Sequence, residues 1–271
     1  MSPPDVAARF LELHHGSSPL LLPNPWDAGS ARLLESLGFQ ALATTSSGHA
    51  ATLGQLDGTV DRDAAIAHAA AIVAATSLPV SADLEHGFAD DPDGVATTVT
   101  QAIAAGLAGA SVEDTTGRPD DPIYALDLAV DRIRAASETA SGHLVVTARA
   151  DGLLHGRYDL ADAITRLQAF QEAGADVLYA PGLQDIADIR SVVSSVDRPV
   201  NVLARPGGPP VAEMSAAGVA RVSVGGAFAF AAFGALVEAG RELLDQGTYT
   251  YWERATTGMT AVRAAFSASS S

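Results

Sequence analysis

"GLAGASVE" (residues 106–113), "AGADVLYA" (173–180) and "AAGVARVSV" (216–224) repeat one pattern along the chain. In each stretch the end of an alanine-rich helical pattern is followed by a glycine turn and then by a short apolar run. Glycine ends helices readily because it adopts the left-handed backbone conformation without a steric penalty. Short apolar runs with little alternation are typical of parallel strands that are covered on both faces. The pattern therefore predicts strands and helices that alternate along the chain.

The same unit can be followed through most of the sequence. The predicted strands lie at 20–23, 40–45, 79–84, 109–113, 143–149, 176–180, 199–204 and 220–225. The predicted helices lie at 28–37, 62–75, 93–105, 126–140, 160–173, 183–194 and 228–244. Eight such units in series predict an α/β fold of the (β/α)8 TIM-barrel type, which routinely spans about 250 residues as one domain. A doubly wound open sheet is the alternative, but no G-x-G-x-x-G follows the first predicted strand.

The whole chain, residues 1–271, is thus predicted to form a single barrel domain. A further helix is predicted at 251–266, and the tail 267–271 (SASSS) is predicted to be disordered. No apolar run approaches the roughly 20 residues of a membrane span. The N-terminal stretch also lacks the basic region and apolar run of a secretory signal. We therefore expect a cytoplasmic protein.

The charged residues exclude several classes of chemistry. The chain has 16 Lys plus Arg and 32 Asp plus Glu, a net charge of −16, and all 16 basic residues are arginine. Without lysine there is no Schiff-base aldolase and no P-loop. Without cysteine there is no thiolate nucleophile, iron–sulfur cluster or disulfide. Nucleic acids and anionic membranes are polyanions, so the excess of negative charge argues against both as partners.

Acidic side chains follow two neighbouring predicted strands. In a (β/α)8 barrel the catalytic groups lie at the carboxyl ends of the strands. Asp83 and Glu85 fall at the end of the third predicted strand, where alternation places both on one face, and Glu113 ends the fourth. Converging carboxylates are tolerated when a hard cation such as Mg²⁺ lies among them. The alternative is three solvated acids on the surface of a very acidic protein.

An arginine and a hydroxyl-rich turn belong to the same predicted edge. Arg149 follows the apolar run LVVTA, and an arginine at the end of a buried strand needs an anionic partner. That partner is either the acid cluster or a substrate carboxylate or phosphoryl group, which the planar guanidinium fits. The turn at 45–48 (TSSG) offers N–H groups and hydroxyls that could hold an oxyanion. His49 and His86, on these loops, are more typical of loop histidines than of catalysts.

Four segments together resemble the isocitrate lyase/phosphoenolpyruvate mutase superfamily. They are "PNPWDAGSARLLESLGFQALATTSSGHAATLGQLDG" (23–58), "PVSADLEHGF" (79–88), "GASVED" (109–114) and "TARAD" (147–151). The resemblance runs from about residue 18 to residue 244 and implies a (β/α)8 barrel whose last helix is exchanged with a neighbouring subunit. It therefore implies a homodimer or homotetramer, with residues 251–266 as candidates for the exchanged region. It also implies Mg²⁺, with Mn²⁺ as a possible substitute, and a small 2-oxo-acid or phosphonate substrate that reacts through an enolate.

The resemblance also assigns roles to individual residues. It implies Asp83 as the direct metal ligand, with Asp57, Glu85 and Glu113 holding the metal partly through water. The residues implied to bind substrate are Thr45, Ser46, Ser47, Arg149, Tyr179, Asn201 and Arg221. The turn at 45–47 is implied to bind the substrate carboxylate and oxo group, and Arg149 the far carboxylate or phosphoryl end. Of these, Thr45, Ser46 and Arg149 are also the implied catalytic residues, together with Thr116 on the loop after the fourth strand.

One loop departs from the pattern of the lyases in this superfamily. Those lyases carry K-[KR]-C-G-H after the fourth strand, whereas residues 115–122 read TTGRPDDP, with neither lysine nor cysteine. We therefore expect a lyase- or phosphonomutase-like enzyme that breaks or rearranges a C–C or P–C bond, but not a true isocitrate or methylisocitrate lyase. Thr115, Thr116 and Arg118 are candidates for the loop's role. Two alternatives remain: a catalytically silent barrel that binds a metabolite or partner, and a transferase that forms C–C bonds from the enolate.

Overall fold

The computed structural model describes residues 3–267, without the side chains of residues 3 and 4. Its eight strands are all parallel and lie in the order β1-β8-β7-β6-β5-β4-β3-β2. They are β1 Leu20–Leu22, β2 Leu42–Ala43, β3 Val80–Asp83, β4 Gly109–Glu113, β5 Val145–Arg149, β6 Val177–Tyr179, β7 Val200–Leu203 and β8 Arg221–Ser223. The predicted (β/α)8 barrel is confirmed.

Eleven α-helices are described within the same residues. They are α1 Pro3–Glu12, α2 Ala28–Ser36, α3 Ser46–Thr52, α4 Arg62–Ala75, α5 Pro92–Ala104, α6 Leu126–Ala140, α7 Leu160–Glu172, α8 Ile186–Ser195, α9 Val211–Ala216, α10 Ala227–Asp245 and α11 Trp252–Ser267. Two 3₁₀ turns lie at Leu13–His15 and Asp151–Leu153. None of the described helices is long and apolar enough to cross a membrane. The cytoplasmic location remains a prediction.

Aspartates begin several of the helices, so part of the negative charge has a structural role. Asp27, Asp61, Asp91, Asp159 and Asp185 each accept a hydrogen bond from a backbone N–H in the first turn of the helix that follows. These N–H groups have no partner within the helix, and a capping carboxylate satisfies one of them and favours the positive end of the helix dipole.

The seam between β1 and β2 is closed by a side chain as well as by the backbone. Ala43 N donates to Pro23 O over 3.0 Å across the seam. The buried side chain of Asn24 donates from Nδ2 to Thr44 O (2.9 Å), and its Oδ1 accepts from the N–H groups of Val224 and Gly225. One amide therefore connects the end of β1 to both neighbouring strands.

Two apolar clusters form the core around and inside the strands. The larger cluster packs the strands against the surrounding helices and includes Ile72, Ile133 and Phe170. The smaller cluster lies inside the strands and is centred on the fully buried Phe10 of α1. Phe10 packs so closely on Gly109 that an added Cβ would lie 2.7 Å from its ring. Because α1 closes the amino ends of the strands, the carboxyl ends carry the cavity.

The strands are shorter than predicted where the chain turns toward that cavity. The second strand, predicted at 40–45, is only Leu42–Ala43, since Thr45 is already the N-cap of α3 and accepts from Gly48 N. The third, predicted at 79–84, ends at Asp83. Residues 46–48, which we interpreted as part of a turn, form the start of the helix α3 instead.

The predicted C-terminal helix is present as Trp252–Ser267. Ser267 is therefore helical, whereas we predicted disorder from residue 267, and residues 268–271 of that predicted tail lie outside the described residues. The helix packs against α2, where the Arg32 guanidinium lies 4.7 Å from the centre of the Phe266 ring. The exchange of this helix between subunits remains a prediction. The organisation of the chain as a single domain also remains a prediction.

Candidate active site

A cavity of about 740 Å³ lies at the carboxyl ends of the strands. Most of the predicted site residues line it. They are Thr45, Ser46, Ser47, Asp57, Asp83, Glu85, Glu113, Arg149 and Tyr179. The strand ends thus bring together side chains that are more than one hundred residues apart in the chain, as the barrel prediction requires.

Asp83 is the best-connected carboxylate of this cavity. Ser46 donates to Oδ2 of Asp83 from both its hydroxyl (3.0 Å) and its backbone N–H (3.3 Å). The backbone N–H of Asp83 donates to Thr44 Oγ1 over 2.9 Å, and Glu85 N lies 3.4 Å from Asp83 Oδ1. The hydroxyl turn after β2 and the acid at the end of β3 are therefore directly bonded.

Glu85 lies close to Asp83, but not because the two residues alternate along one strand. Because β3 ends at Asp83, Glu85 is outside the strand, with φ +47° in the left-handed region that few non-glycine residues adopt. Burial, and then the like charges of Asp83 and Asp57, raise the pKa of Glu85 to about 7. Burial also raises the pKa of Asp57. These acids share one region of the cavity and repel one another.

Arg149 bonds three carboxylates at once. Its guanidinium lies 3.1 Å from Asp83 Oδ1, 2.9 Å from Glu113 Oε2 and 2.6 Å from Asp151 Oδ2. Burial lowers the pKa of Arg149, but the carboxylates, Asp151 foremost, outweigh burial and raise it well above its usual value. Of the two partners that we considered for Arg149, the acid cluster is the one seen, and its contact with substrate remains a prediction.

Asp151 is a site residue to which the sequence analysis assigned no role. It is 1% exposed, bonds Arg149, and its backbone N–H donates to Asp114 Oδ1 over 2.7 Å. Asp114 is in turn bonded by Tyr158 Oη (3.0 Å) and Arg166 Nη1 (3.1 Å). The signal in the sequence was the spacing of Arg149 and Asp151, two residues apart beside a strand end, together with the acidic pair that ends β4.

The acidic residues fit a hard cation that keeps water ligands. No group of three or more Asp, Glu or His side chains within residues 3–267 is arranged to coordinate a metal directly. Mg²⁺, however, is usually held by only one or two carboxylates and retains several waters. Asp57, Asp83 and Glu85 bring carboxylate oxygens, the ligands that such a cation prefers, to one region of the cavity.

The remaining predicted residues lie away from the cavity wall. The Thr116 hydroxyl donates to Asp121 O and accepts from Arg118 N (3.0 Å), so it is buried within its own loop. Asn201 and Arg221 lie inside the barrel, where Arg221 Nε donates to Asn201 Oδ1 over 3.0 Å. Arg221 also contacts His14 Nε2 over 3.1 Å, toward the end closed by α1. None of these three described residues lines the cavity. Their roles toward the substrate therefore remain predictions.

Loops after the strands complete the cavity. His86, whose pKa is lowered by burial and by Arg132, lies on the wall close to Gly117. The loop after β4 contributes Arg118, which pairs with Asp90 over 3.0 Å. The turn after β5 contributes His155 and Arg157. The chain therefore has the architecture of a (β/α)8-barrel enzyme. Its acidic cavity, which offers ligands for a cation, lies at the carboxyl ends of the strands, where such enzymes have their active sites.

Comparisons with known proteins show which family of barrel enzymes this chain is similar to. Residues 10–244 match the family model described as phosphoenolpyruvate phosphomutase. The solved structure of a Burkholderia cenocepacia protein assigned as a lyase/mutase is similar with a TM-score of 0.92 and 49% identity, covering 96% of this chain and 95% of that one. An uncharacterized protein of Mycobacterium tuberculosis is 36% identical over 219 residues, 80% of this chain and 81% of that protein. The 2-methylisocitrate lyase of Escherichia coli is 34% identical over 192 residues, 68% of this chain and 64% of the lyase.

The chain belongs to the phosphoenolpyruvate mutase/isocitrate lyase superfamily. Its relatives and structural neighbours are lyases and mutases, and the superfamily is generally Mg²⁺-dependent and acts on small molecules. The predicted family and the predicted enzyme class are thereby confirmed.

Proposed function

We propose that this chain is a Mg²⁺-dependent enzyme that breaks or rearranges a C–C or P–C bond in a small 2-oxo-acid through an enolate. The observation that carries the proposal is the cavity in which Asp57, Asp83 and Glu85 lie together with the Ser46 turn and Arg149. Oxygen ligands for a cation, hydroxyl and N–H donors, and a guanidinium are the groups that bind and polarise an anionic carbonyl compound. The family model, described as phosphoenolpyruvate phosphomutase, and the 2-methylisocitrate lyase of Escherichia coli support a proposal that covers both a mutase and a lyase.

Each group has a distinct part in this proposal. Breaking a bond next to a carbonyl leaves negative charge on the enolate oxygen. Asp83, with Asp57, Glu85 and Glu113, would hold a Mg²⁺ ion that would supply positive charge there. Thr45, Ser46 and Ser47 bind the substrate carboxylate and oxo group through their hydroxyls and backbone. Arg149 is fixed by its carboxylates and lies 5.2 Å from the centre of the Tyr179 ring, so it presents a positioned cation to the far carboxylate or phosphoryl end of the substrate.

Asp83→Ala tests the proposal, with Asp131→Ala as the matched control. Asp131 is an exposed acid on α6 that pairs with Arg134 away from the cavity. Mg²⁺ binding is measured by calorimetry, and turnover of oxaloacetate and phosphonopyruvate is followed by ¹H and ³¹P NMR. We expect Asp83→Ala to lose both Mg²⁺ binding and turnover, and Asp131→Ala to keep both.

Two results would contradict the proposal. Unchanged Mg²⁺ binding in Asp83→Ala would overturn the metal assignment. Binding of the ligands by the unaltered protein without any product would instead favour a catalytically silent barrel.

We also propose that the chain is a homodimer or homotetramer. Leu236 and Leu244 of α10 and Trp252 and Met259 of α11 are large apolar side chains that are 42–86% exposed in the single chain. Such a surface is typical of an interface that another subunit covers. Light scattering on the purified protein measures the mass, and a monomer at micromolar concentration would contradict the proposal.

A further inference from the structure

We propose that Arg132, a buried residue of α6 that does not line the cavity, is a positioning residue for the metal side of the candidate active site. It acts through residues 85–90, the segment after β3 that brings Glu85 and His86 to the cavity wall. The inference rests on the proposed function and deepens it, because Glu85 is one of the acids proposed to hold Mg²⁺. It makes the affinity for this cation depend on a residue that does not contact it.

The segment after β3 has an unusual backbone. Glu85 and Phe88 have φ values of +47° and +55°, in the left-handed region that non-glycine residues rarely adopt, and Gly87 lies between them with φ +74°. Such a conformation is strained in a residue with a Cβ, and it persists only where the surrounding structure holds it. The path of this segment therefore depends on bonds that come from outside it.

Bonds from β4 and α5 hold the start and the middle of the segment. Glu85 O accepts from the backbone N–H of Glu113 over 3.0 Å. The buried hydroxyl of Thr98, on α5, donates to Gly87 O over 2.7 Å. These two bonds leave the carbonyl groups of residues 86, 89 and 90 for another donor.

Arg132 bonds the remaining carbonyl groups. Its Nη2 donates to His86 O, and its Nη1 donates to Ala89 O and, over 2.9 Å, to Asp90 O. The guanidinium also lies 4.2 Å from the centre of the Tyr124 ring, and the Tyr124 hydroxyl donates to the Asp90 carboxylate. One side chain and its aromatic neighbour therefore hold the segment from its second residue to its last.

The surroundings of Arg132 favour a positioning role. Its side chain is fully buried, and no carboxylate within residues 3–267 forms an ion pair with it. Its Nε has no hydrogen-bond partner in the same part of the chain. A buried cation without a carboxylate is costly, and an apolar side chain would avoid that cost. What an apolar side chain would not supply is a set of donors that fixes the path of the segment.

Arg132→Met and Arg132→Lys test the inference, with two controls on the same helix. Arg134→Met changes an exposed arginine that pairs with Asp131. Ile133→Ala removes buried apolar packing and no hydrogen bond. Calorimetry measures the Kd of Mg²⁺, and hydrogen exchange followed by mass spectrometry measures the protection of residues 85–91 without metal. Urea denaturation identifies conditions under which each variant is fully folded.

We expect Arg132→Met to weaken Mg²⁺ binding by about 10- to 100-fold, which is the loss typical of groups that orient metal ligands. Its amides at 85–91 should also exchange faster than those of the unaltered protein. Arg132→Lys retains a charged donor and should recover part of both properties. Arg134→Met should change neither, and Ile133→Ala should keep the Mg²⁺ affinity although it destabilises the fold.

The outcomes separate this inference from the proposed function. Equal Mg²⁺ affinity of Arg132→Met and the unaltered protein would overturn the role of Arg132 and leave the proposed function in place. An equal loss of affinity in Ile133→Ala would overturn it too, since the affinity would then follow the stability of α6. Failure of the unaltered protein to bind Mg²⁺ would overturn the proposed function and the inference together. If Arg132→Met does not fold, Arg132→Gln replaces it, and an unchanged Kd in that variant would likewise overturn the inference.

Discussion

Arg149 Nη1 donates to Asp83 Oδ1 over 3.1 Å, so the arginine predicted to bind substrate and the carboxylate predicted to bind metal are each other's partners. The same guanidinium also bonds Glu113 and Asp151. These side chains are at most 20% exposed. The cluster is therefore a stability element of the fold as well as the centre of the candidate active site.

Arg149→Gln is expected to destabilise the protein strongly. Removing one member of a buried ion cluster leaves the others charged without compensation, which costs about 3–5 kcal/mol. The free energy of unfolding from urea denaturation measures the loss. The exposed Arg134→Gln variant should change it by less than about 0.5 kcal/mol. Equal stability of the two variants would show that the cluster contributes nothing to the fold.

Asp151→Asn is expected to lower kcat/KM while the protein remains folded. The amide keeps the shape of the side chain and the backbone N–H to Asp114, but it removes the charge of the nearest partner of Arg149. Hydrogen bonds to charged groups contribute about 1.5–3 kcal/mol, so we expect a fall of about 10- to 100-fold. Steady-state rates on the substrate found active are compared with those of Asp131→Asn. An unchanged kcat/KM would remove Asp151 from the site.

The contribution of His14 to the free energy of unfolding should fall as the pH decreases below 6.5. The side chain is 4% exposed, its Nδ1–H donates to Phe10 O, and its Nε2 accepts from Arg221. Burial, followed by the charge of Arg221, lowers the pKa of His14 from 6.5 to about 3. Between these pH values the unfolded state binds a proton that the folded state excludes. Acidification therefore favours unfolding, by about 1.4 kcal/mol for each pH unit below 6.5.

His14→Gln isolates this contribution from those of the acids. Urea denaturation at pH 7.5 and pH 5.5 gives the loss of unfolding free energy for each protein. We expect the unaltered protein to lose about 1.4 kcal/mol more than His14→Gln over this interval. Parallel pH dependences in the two proteins would mean that the folded state accepts the proton.

Gly152→Ala is expected to disturb the turn that carries His155 and Arg157. An added Cβ would lie 1.9 Å from Cε1 of the Tyr158 ring, and the Tyr158 hydroxyl is bonded to Asp114, so the ring cannot move away freely. Overpacking of this kind costs about 1–3 kcal/mol. Gly16→Ala is the control, because its nearest contact would be an ordinary 3.4 Å. Thermal unfolding compares them, and equal melting temperatures would contradict the expectation.

Local patterns were enough to predict the barrel and the acids at its mouth. Glycine turns before apolar runs are short-range features, and the strand ends meet because parallel strands share an edge. Glu85 shows the limit of local reasoning: alternation assigned it to a strand with Asp83, whereas the strand ends at Asp83 and Glu85 reaches the same cavity with a positive φ. The predicted proximity was correct, but its structural reason was not.

Residues that depend on distant partners could not be predicted in this way. Arg221 begins the short strand β8, and its guanidinium contacts His14, 207 positions earlier, away from the cavity at the carboxyl ends. The spacing of Asp151 from Arg149 was visible in the sequence, but its role depends on contacts with Arg149 and with Asp114, which comes from another strand end. Thr116 was predicted from a loose match of loops, and its hydroxyl instead holds its own loop together. Such pairings are set by tertiary packing and leave no periodic trace in the sequence.

The Asn24 seam has a consequence for the motions of the barrel. β4 and β5 share five paired positions, whereas β1 and β2 share no ladder and rely on one main-chain bond and the Asn24 amide. Segments with few backbone bonds open first in native-state hydrogen exchange. We therefore expect the amides of β2 to exchange before those of β4. Because Ser46 in the turn that follows β2 bonds Asp83, opening of β2 would break these two hydrogen bonds, whereas β3 and β4 would keep their shared ladder.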